Sequence, residues 1–156
     1  MPGAQQRTIR FAHVNLIARD WKALAGFYCD VFGCELVPPE RELDDDWLGA
    51  GAGIPGATLR GAHLRLPGYP PGTGPTLEIF QYNANVEREP GPANATGFGH
   101  IAFGVDDVAA MVAEVIARGG RELGERVEAE VAGAGPIVWQ YVRDPEGNII
   151  ELQRWG

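Results

Sequence analysis

The sequence predicts an α+β fold built from two related halves, and three observations predict it. Two amphipathic helices are spaced along the 156 residues, an apolar strand with a single histidine precedes each helix, and strand-like stretches follow each helix, the last of them carrying a glutamate. A chain of this length is near the size at which one domain buries a substantial core, so a second full domain is not expected. We therefore predict a single domain in which a strand, a helix and further strands occur twice.

Both helices have recognisable ends. In the first, DWKALAGFYCDVFG, the apolar residues fall on one stripe at helical spacing, Asp20 is a typical N-cap and Gly33 a typical C-terminal stop. In the second, apolar residues recur with the same period between an opening at Asp106 and Asp107 and an end at Gly119. Each helix should pack one face against strands of its own half.

Four strands carry one ligand-type residue each in apolar company. Because side chains alternate along a strand, each of these residues faces away from its aliphatic neighbours. We expect the aliphatic side to cover the helices and the other side to line a cavity. The four residues are His13 in FAHVNLIA, Glu78 in TLEIFQY, His100 in FGHIAFGV and Glu151 in NIIELQRW.

Two carboxylates in one cavity predict a cation between them. Burying both together without a compensating charge is strongly unfavourable, and a divalent metal removes the conflict. Two imidazoles and two carboxylates suit a six-coordinate ion such as Mn, Fe, Co, Ni or Zn and leave two positions for water or substrate. We predict that His13, Glu78, His100 and Glu151 bind one such ion.

The two halves differ in length. We predict a first module at about residues 8–83, a linker at 84–95 and a second module at 96–155. A loop insertion at residues 40–57, which is rich in acidic residues and then in glycine, would account for the longer first half, with residues 47–54 as a candidate lid over the cavity.

The charge balance excludes several classes of partner. A formal net charge of −8 and a pI of about 4.8 disfavour binding to nucleic acid or to an anionic membrane surface. The amino-terminal stretch shows no basic segment followed by a long apolar stretch, so we expect no targeting signal in it. No apolar run is long enough to span a bilayer. We expect a cytoplasmic protein that acts on a small molecule.

Three segments resemble motifs of a known superfamily. FYCDVFGCEL, GFGHIAFGVDDV and VRDPEGNIIELQ, which cover both halves, are similar to the motifs of the vicinal oxygen chelate superfamily of glyoxalases, bleomycin resistance proteins and extradiol dioxygenases. The order His, Glu, His, Glu is closest to that of glyoxalase-like members. The resemblance implies two βαβββ modules in a pseudo-twofold arrangement, forming an open, mostly antiparallel barrel-like sheet with helices outside. It also implies a homodimer.

The resemblance and the predicted metal site together imply a reaction class. A metal with two open positions can hold the vicinal oxygens of a substrate and make an α-proton removable, which suits a lyase or isomerase. Glu151 is favoured as the proton carrier, and Glu78 is the other candidate. Two alternatives stay open: an extradiol-type dioxygenase, and a non-catalytic small-molecule-binding or resistance protein of the same fold.

Further residues could contribute to the site. His63, in ATLRGAHLRLPG, is a candidate for catalysis as a donor or acid/base, with Arg65 on the same strand face as an anion partner. An exposed face of an edge strand is the alternative for both. Candidates for the pocket wall are Tyr82, Trp139 and Tyr141.

Overall fold

A computed structural model describes residues 8–156. The first seven residues, part of the stretch expected to lack a targeting signal, lie outside the described residues. The elements in chain order are β1 (His13–Ile17), α1 (Trp21–Phe32), β2 (Glu35–Leu43), α2 (Asp46–Ala52), β3 (Leu59–Arg65), β4 (Thr76–Tyr82), β5 (Ile101–Gly104), α3 (Val108–Ala117), β6 (Arg121–Glu122), β7 (Val127–Val131), β8 (Gly135–Arg143) and β9 (Ile149–Trp155).

The strands form two sheets, one from each half of the sequence. The first has the order β1-β4-β3-β2, and the second has the order β5-β9-β8-β6 with β7 also paired to β8. In each sheet the strand before the helix lies parallel to the last strand of the half, and the other pairs are antiparallel. The predicted α+β fold with two mostly antiparallel modules is confirmed, and across residues 8–156 the strands do not close into a continuous barrel.

The predicted ends of both main helices are also confirmed. The Asp20 side chain accepts a hydrogen bond from the Ala23 N–H at 3.1 Å, and Gly33 has a φ of 68°, the left-handed conformation that glycine adopts without a steric penalty. At the second helix the Asp107 side chain accepts from the Ala110 N–H at 3.0 Å. The caps satisfy backbone groups that the helix leaves unpaired.

The aliphatic faces of both sheets meet α1 and α3 in one apolar core. Leu77 and Ile79 flank Glu78, Ile150 and Leu152 flank Glu151, and all four are fully buried, as the alternation predicted. Across the two halves, the rings of Phe32 and Phe103 stack with centroids 4.1 Å apart. Helices α1 and α3 therefore lie on the opposite side of each sheet from the ligand-type residues.

A buried carboxylate also joins the halves. Asp144 lies in the turn between β8 and β9 and accepts hydrogen bonds from the Tyr28 hydroxyl on α1 at 2.9 Å and from the Glu146 and Asn148 backbone N–H groups at 2.9 and 3.0 Å. The neighbouring Glu146 carboxylate accepts from the backbone N–H of Arg19 at 2.8 Å. Burial, followed by the charge and hydrogen bond of Asp144, raises the pKa of Tyr28 well above its ordinary value, so the phenol stays protonated.

The prediction of a loop at residues 40–57 is wrong in part. Strand β2 continues to Leu43, and the helix α2 follows within the segment. This helix has seven residues, rich in glycine and alanine, which are too few to show a helical period in the sequence. A helix this short is not stable by itself, and packing of Leu48 against Ala57 and Leu59 stabilises it. Within residues 8–156, no helix has both the length and the apolar character needed to cross a membrane.

Candidate metal centre

Three ligand-type side chains meet on the open face of the first sheet. His13 on β1, His63 on β3 and Glu78 on β4 each offer one ligand atom, and these atoms all lie within 4.8 Å of one another. The His63 Nε2 is 2.8 Å from Glu78 Oε2, and the His13 Nε2 is 3.7 Å from Glu78 Oε1. This spacing matches donors that can close around one ion.

Strand register brings these residues together. Glu78 is the direct partner of His63 on one side and of Asn15 on the other, so the three side chains share a face of the sheet. The Asn15 Nδ2 donates to Glu78 Oε1 at 2.8 Å. Glu78 is buried and both of its oxygens have a partner, which fixes the orientation of the carboxylate.

His63 lies on an internal strand, since β3 is paired on both sides, so the alternative of an exposed edge strand is wrong. Its Nδ1 is 2.9 Å from the Thr76 Oγ1, which leaves Nε2 facing Glu78. Burial lowers the pKa of His63, the charge of Glu78 opposes this shift, and the positive charge of Arg41 adds to it. The imidazole is therefore kept neutral more readily than a free histidine, and a neutral imidazole is the form that binds metals.

The second sheet carries the other predicted pair. His100 Nε2 lies 2.9 Å from Glu151 Oε2. The ring of Tyr141 is 4.9 Å from that of His100, and the ring of Trp139 is 5.0 Å from that of Tyr141, so two of the three predicted wall residues lie beside this pair. The third, Tyr82, packs instead with the cluster beneath α2.

A single copy of the chain keeps the two pairs apart. Within residues 8–156, the only group of three or more such residues with all ligand atoms inside 4.8 Å is the one on the first sheet, and it contains neither His100 nor Glu151. Binding of one ion by His13, Glu78, His100 and Glu151 therefore stays a prediction. The donor chemistry fits it, because each sheet presents an imidazole nitrogen beside a carboxylate oxygen, the mixed set that divalent first-row metals accept.

The arginines on the ligand face of the first sheet do not have the roles expected from the sequence. Arg65, the predicted anion partner, already forms an ion pair with Glu35. Arg41 lies opposite Gly61 in the strand register and therefore on the same face as His63. Its guanidinium donates a hydrogen bond to the Pro39 carbonyl. It forms no ion pair with any residue from 8 to 156. No pattern in the sequence indicates Arg41, because the irregular pairing between Val37 and Arg41 interrupts the alternation from which strand faces are assigned.

Apolar groups close one end of this face. The Phe80 ring lies 6.0 Å from the His63 ring, and Leu48 of α2 packs over Leu59 on the same side of the sheet. Part of the predicted lid, residues 47–54, is thus a short helix that lies beside the ligand cluster. The site has a polar end with the ligands and an apolar end under α2.

Comparison with known proteins finds relatives over most of the chain. The family model of the Glyoxalase/Bleomycin resistance protein/Dioxygenase superfamily matches residues 10–152. A lactoylglutathione lyase of Haemophilus influenzae is 36% identical over 144 residues, which are 92% of this chain and 91% of that protein. A 2-epi-5-epi-valiolone epimerase of Actinomyces sp is 32% identical over 159 residues, with 97% of this chain and 80% of that protein covered.

Other relatives extend beyond the region matched. A lactoylglutathione lyase of Arabidopsis thaliana is 32% identical over 94% of this chain, and the match spans 44% of the length of that protein. Among solved structures, a glyoxalase family protein from Bacillus cereus has a TM-score of 0.82 and 20% identity, with 98% of this chain and 99% of that chain covered, which shows the shared fold. The chain belongs to the Glyoxalase/Bleomycin resistance protein/Dioxygenase superfamily.

Proposed function

We propose that this protein is a divalent-metal-dependent lyase or isomerase that transfers an α-proton on a small substrate with vicinal oxygens. The observation that carries the proposal is the repeated pair of an imidazole beside a carboxylate: His13 begins β1 and lies beside Glu78 of β4, and His100 immediately precedes β5 and lies beside Glu151 of β9. Relatives that are lyases and epimerases support the same reaction class.

The ligands would come from two copies of the chain. We propose a homodimer in which His13 and Glu78 of one copy face His100 and Glu151 of the other. The His13 side chain is 44% exposed and the His100 side chain 32% exposed in a single copy. Large aromatic residues two positions before each histidine, Phe11 and Phe98, are also exposed. A second copy would cover these apolar side chains and complete the ligand set.

A metal held there would polarise the neighbouring oxygens of the substrate and so make its α-proton more acidic. Glu151 is the better placed of the two carboxylates to take that proton. Its Oε2 faces His100, and its Oε1 accepts no hydrogen bond from a residue in the described part of the chain, whereas both oxygens of Glu78 are already in use. Glu151 would remove the proton and return it to the neighbouring carbon, or to the opposite face of the same carbon.

The test has two steps. Metal content of the purified protein is measured first, and light scattering reports the oligomeric state. Exchange of substrate α-protons for solvent deuterium is then followed by NMR with a panel of hydroxycarbonyl compounds and acyl-CoA thioesters. We expect metal-dependent exchange with at least one substrate. A loaded dimer that exchanges no α-proton with any of them would contradict the proposal.

One observation favours a second candidate, the extradiol-type dioxygenase. His13, His63 and Glu78 are two imidazoles and one carboxylate, the set that binds Fe(II) in many oxygenases. Loading with Fe(II) and measuring oxygen consumption with catechols distinguishes the two reactions. Consumption of oxygen without α-proton exchange would replace the first proposal by this one. A pure binding protein would instead keep its affinity for a ligand after substitution of the four metal-ligand residues.

A further inference from the structure

We propose that His63 is itself a metal ligand, so that one copy of the chain loads the metal through His13, His63 and Glu78 before a second copy contributes His100 and Glu151. The inference rests on the proposed function, because both concern the same metal ion. It adds a ligand from an internal strand, and it separates the loading of the metal from the residues that complete the site.

The distances place the His63 nitrogen within reach of an ion bound at Glu78. In a site with metal–ligand bonds of about 2.0–2.2 Å, neighbouring ligand atoms are roughly 3–3.5 Å apart. The His63 Nε2 is 2.8 Å from Glu78 Oε2, closer to the carboxylate than the His13 Nε2, which is 3.7 Å from Oε1. An ion that binds His13 and Glu78 at normal bond lengths therefore has the His63 nitrogen within reach.

The surroundings of His63 orient it as metal-binding histidines are oriented. Such a histidine usually donates its second ring N–H to an oxygen, which fixes the tautomer and the ring plane. In the tautomer with the proton on Nδ1, Thr76 Oγ1 at 2.9 Å accepts that hydrogen bond and Nε2 keeps its lone pair for the ion. In the other tautomer, without an ion, Nε2–H donates to Glu78 Oε2. Asn15 holds the other Glu78 oxygen at 2.8 Å, so two of the three ligands are already oriented before any ion binds.

The second sheet has no equivalent third ligand. His100 and Glu151 are a pair, and no other histidine, cysteine or acidic residue in the described part of the chain completes a three-ligand group with them. Two ligands bind an ion more weakly than three that are held in place, so the first sheet should load the metal. With His63 bound, a six-coordinate ion keeps two positions for the substrate oxygens only when Glu151 leaves it. Glu151 can leave because it is not needed to keep the ion bound, and its free carboxylate can then exchange a proton.

The histidine content makes the test direct, because the sequence contains three histidines and each is one of the residues in question. Protein labelled with ¹⁵N-histidine is titrated with Zn²⁺, and long-range ¹H–¹⁵N spectra follow each imidazole, with assignments from the His→Gln variants. We expect the Nε2 signals of His13 and His63 to move to metal-bound positions. An unchanged His63 Nε2 at saturating Zn²⁺ would overturn the inference.

Zinc affinity separates this inference from the proposed function. We expect His63→Gln to weaken Zn²⁺ binding by more than about 100-fold, beyond the roughly 10–100-fold loss typical when a partner of a ligand is removed. The double variant His100→Gln/Glu151→Gln should bind Zn²⁺ within about tenfold of the unmodified protein. If the double variant loses zinc while His63→Gln keeps it, this inference fails and the four-ligand proposal remains. If zinc binds as expected but no α-proton exchanges, the proposed function fails alone.

A rescue experiment covers the case in which His63→Gln does not fold. A thiolate is also a good ligand for divalent metals, so His63→Cys should restore binding and, with Co²⁺, produce a charge-transfer absorption from sulfur to the metal. A residue that only donated a hydrogen bond to Glu78 would give no such absorption. Its absence in folded, Co²⁺-loaded His63→Cys protein would contradict direct coordination.

Discussion

The two halves present the same pair of residues in different surroundings. On the first sheet Glu78 is buried, with one oxygen bonded to Asn15 and the other facing His63. On the second sheet the Glu151 side chain is 17% exposed, against 11% for Glu78, and its carboxylate faces only His100 among residues 8–156, beside the ring of Tyr141. The repeat thus supplies similar ligands, while the neighbouring strands decide how firmly each is held.

We propose that the two halves have different roles at the site. A carboxylate with both oxygens in use is suited to hold an ion in a fixed geometry, and one with an unused oxygen is suited to move a proton. We therefore expect the first half to bind and the second to react.

The largest expected effect distinguishes the two glutamates. Glu151→Gln removes the proposed proton carrier and should lower the rate of α-proton exchange by about 10²–10⁴-fold while the metal content per chain stays the same. Glu78→Gln should instead lose the metal, and activity with it. Metal analysis beside deuterium exchange on both variants measures this, and equal loss of metal in the two would contradict a division of work.

A smaller effect concerns recognition of a charged substrate at the first half. Arg41 shares the face of His63 and has no acidic partner within residues 8–156, so it can bind a carboxylate of the substrate. Arg41→Gln should raise the KM for hydroxycarbonyl acids by about 10–100-fold, the amount expected for a charge-assisted hydrogen bond. The KM for uncharged hydroxycarbonyls should not change.

Arg60→Gln is the matched control for Arg41. Arg60 is exposed and lies one position from Gly61 on β3, so its side chain points to the other face of the sheet. Removing its charge should leave both KM values unchanged. An equal rise in KM in the two variants would show that general electrostatic attraction, and not a local contact, is responsible.

Close packing around the first ligand cluster gives a third prediction. A Cβ at Gly61 would lie 2.1 Å from the Ile79 carbonyl oxygen and 2.5 Å from Phe80 Cδ1, so Gly61→Ala must displace the strand beside Glu78. We expect a loss of about 1–3 kcal/mol in the free energy of unfolding, measured with urea, together with weaker Zn²⁺ binding. Gly26→Ala, in α1 with no atom within 4 Å of the new Cβ, should instead stabilise the protein by up to about 1 kcal/mol.

The smallest effect concerns the contact between the halves. Tyr28→Phe removes the hydrogen bond to Asp144 and should cost about 1 kcal/mol at pH 7. Because the pKa of Tyr28 is raised in the folded state, its contribution is present below the ordinary tyrosine pKa of 10.0 and is lost as the pH rises above that value. Urea unfolding between pH 7 and 11 should therefore show a shallower alkaline loss in Tyr28→Phe. Tyr69→Phe, at an exposed site, should show the slope of the unmodified protein.

The parts of the fold that could be predicted from the sequence are those that depend on local chemistry. Helix α1 is capped by Asp20 at its start and Gly33 at its end, and α3 is capped by Asp107 at its start. Each cap forms hydrogen bonds with residues a few positions away. The faces of Glu78 and Glu151 follow from alternation along one strand. These predictions needed no knowledge of which strands pair.

The parts that could not be predicted depend on pairing at long range. His63 joins the ligand cluster because β3 lies next to β4, and Arg65 is unavailable because β2 brings Glu35 beside it. Nor does the sequence reveal that Asp144, in an ordinary turn motif, is buried against Tyr28 from the other half. Each of these contacts is fixed by packing of distant segments.

The turn that carries Asp144 and Glu146 makes the two halves mutually dependent. The backbone N–H groups of Arg19 and Asp20, where α1 begins, are satisfied by Glu146 from 126 or 127 residues further along the chain. A fragment without that turn would leave these donors, and the Tyr28 hydroxyl, without their acceptors. The duplicated architecture therefore behaves as one cooperative unit, which should melt in a single transition and should not assemble from its first half alone.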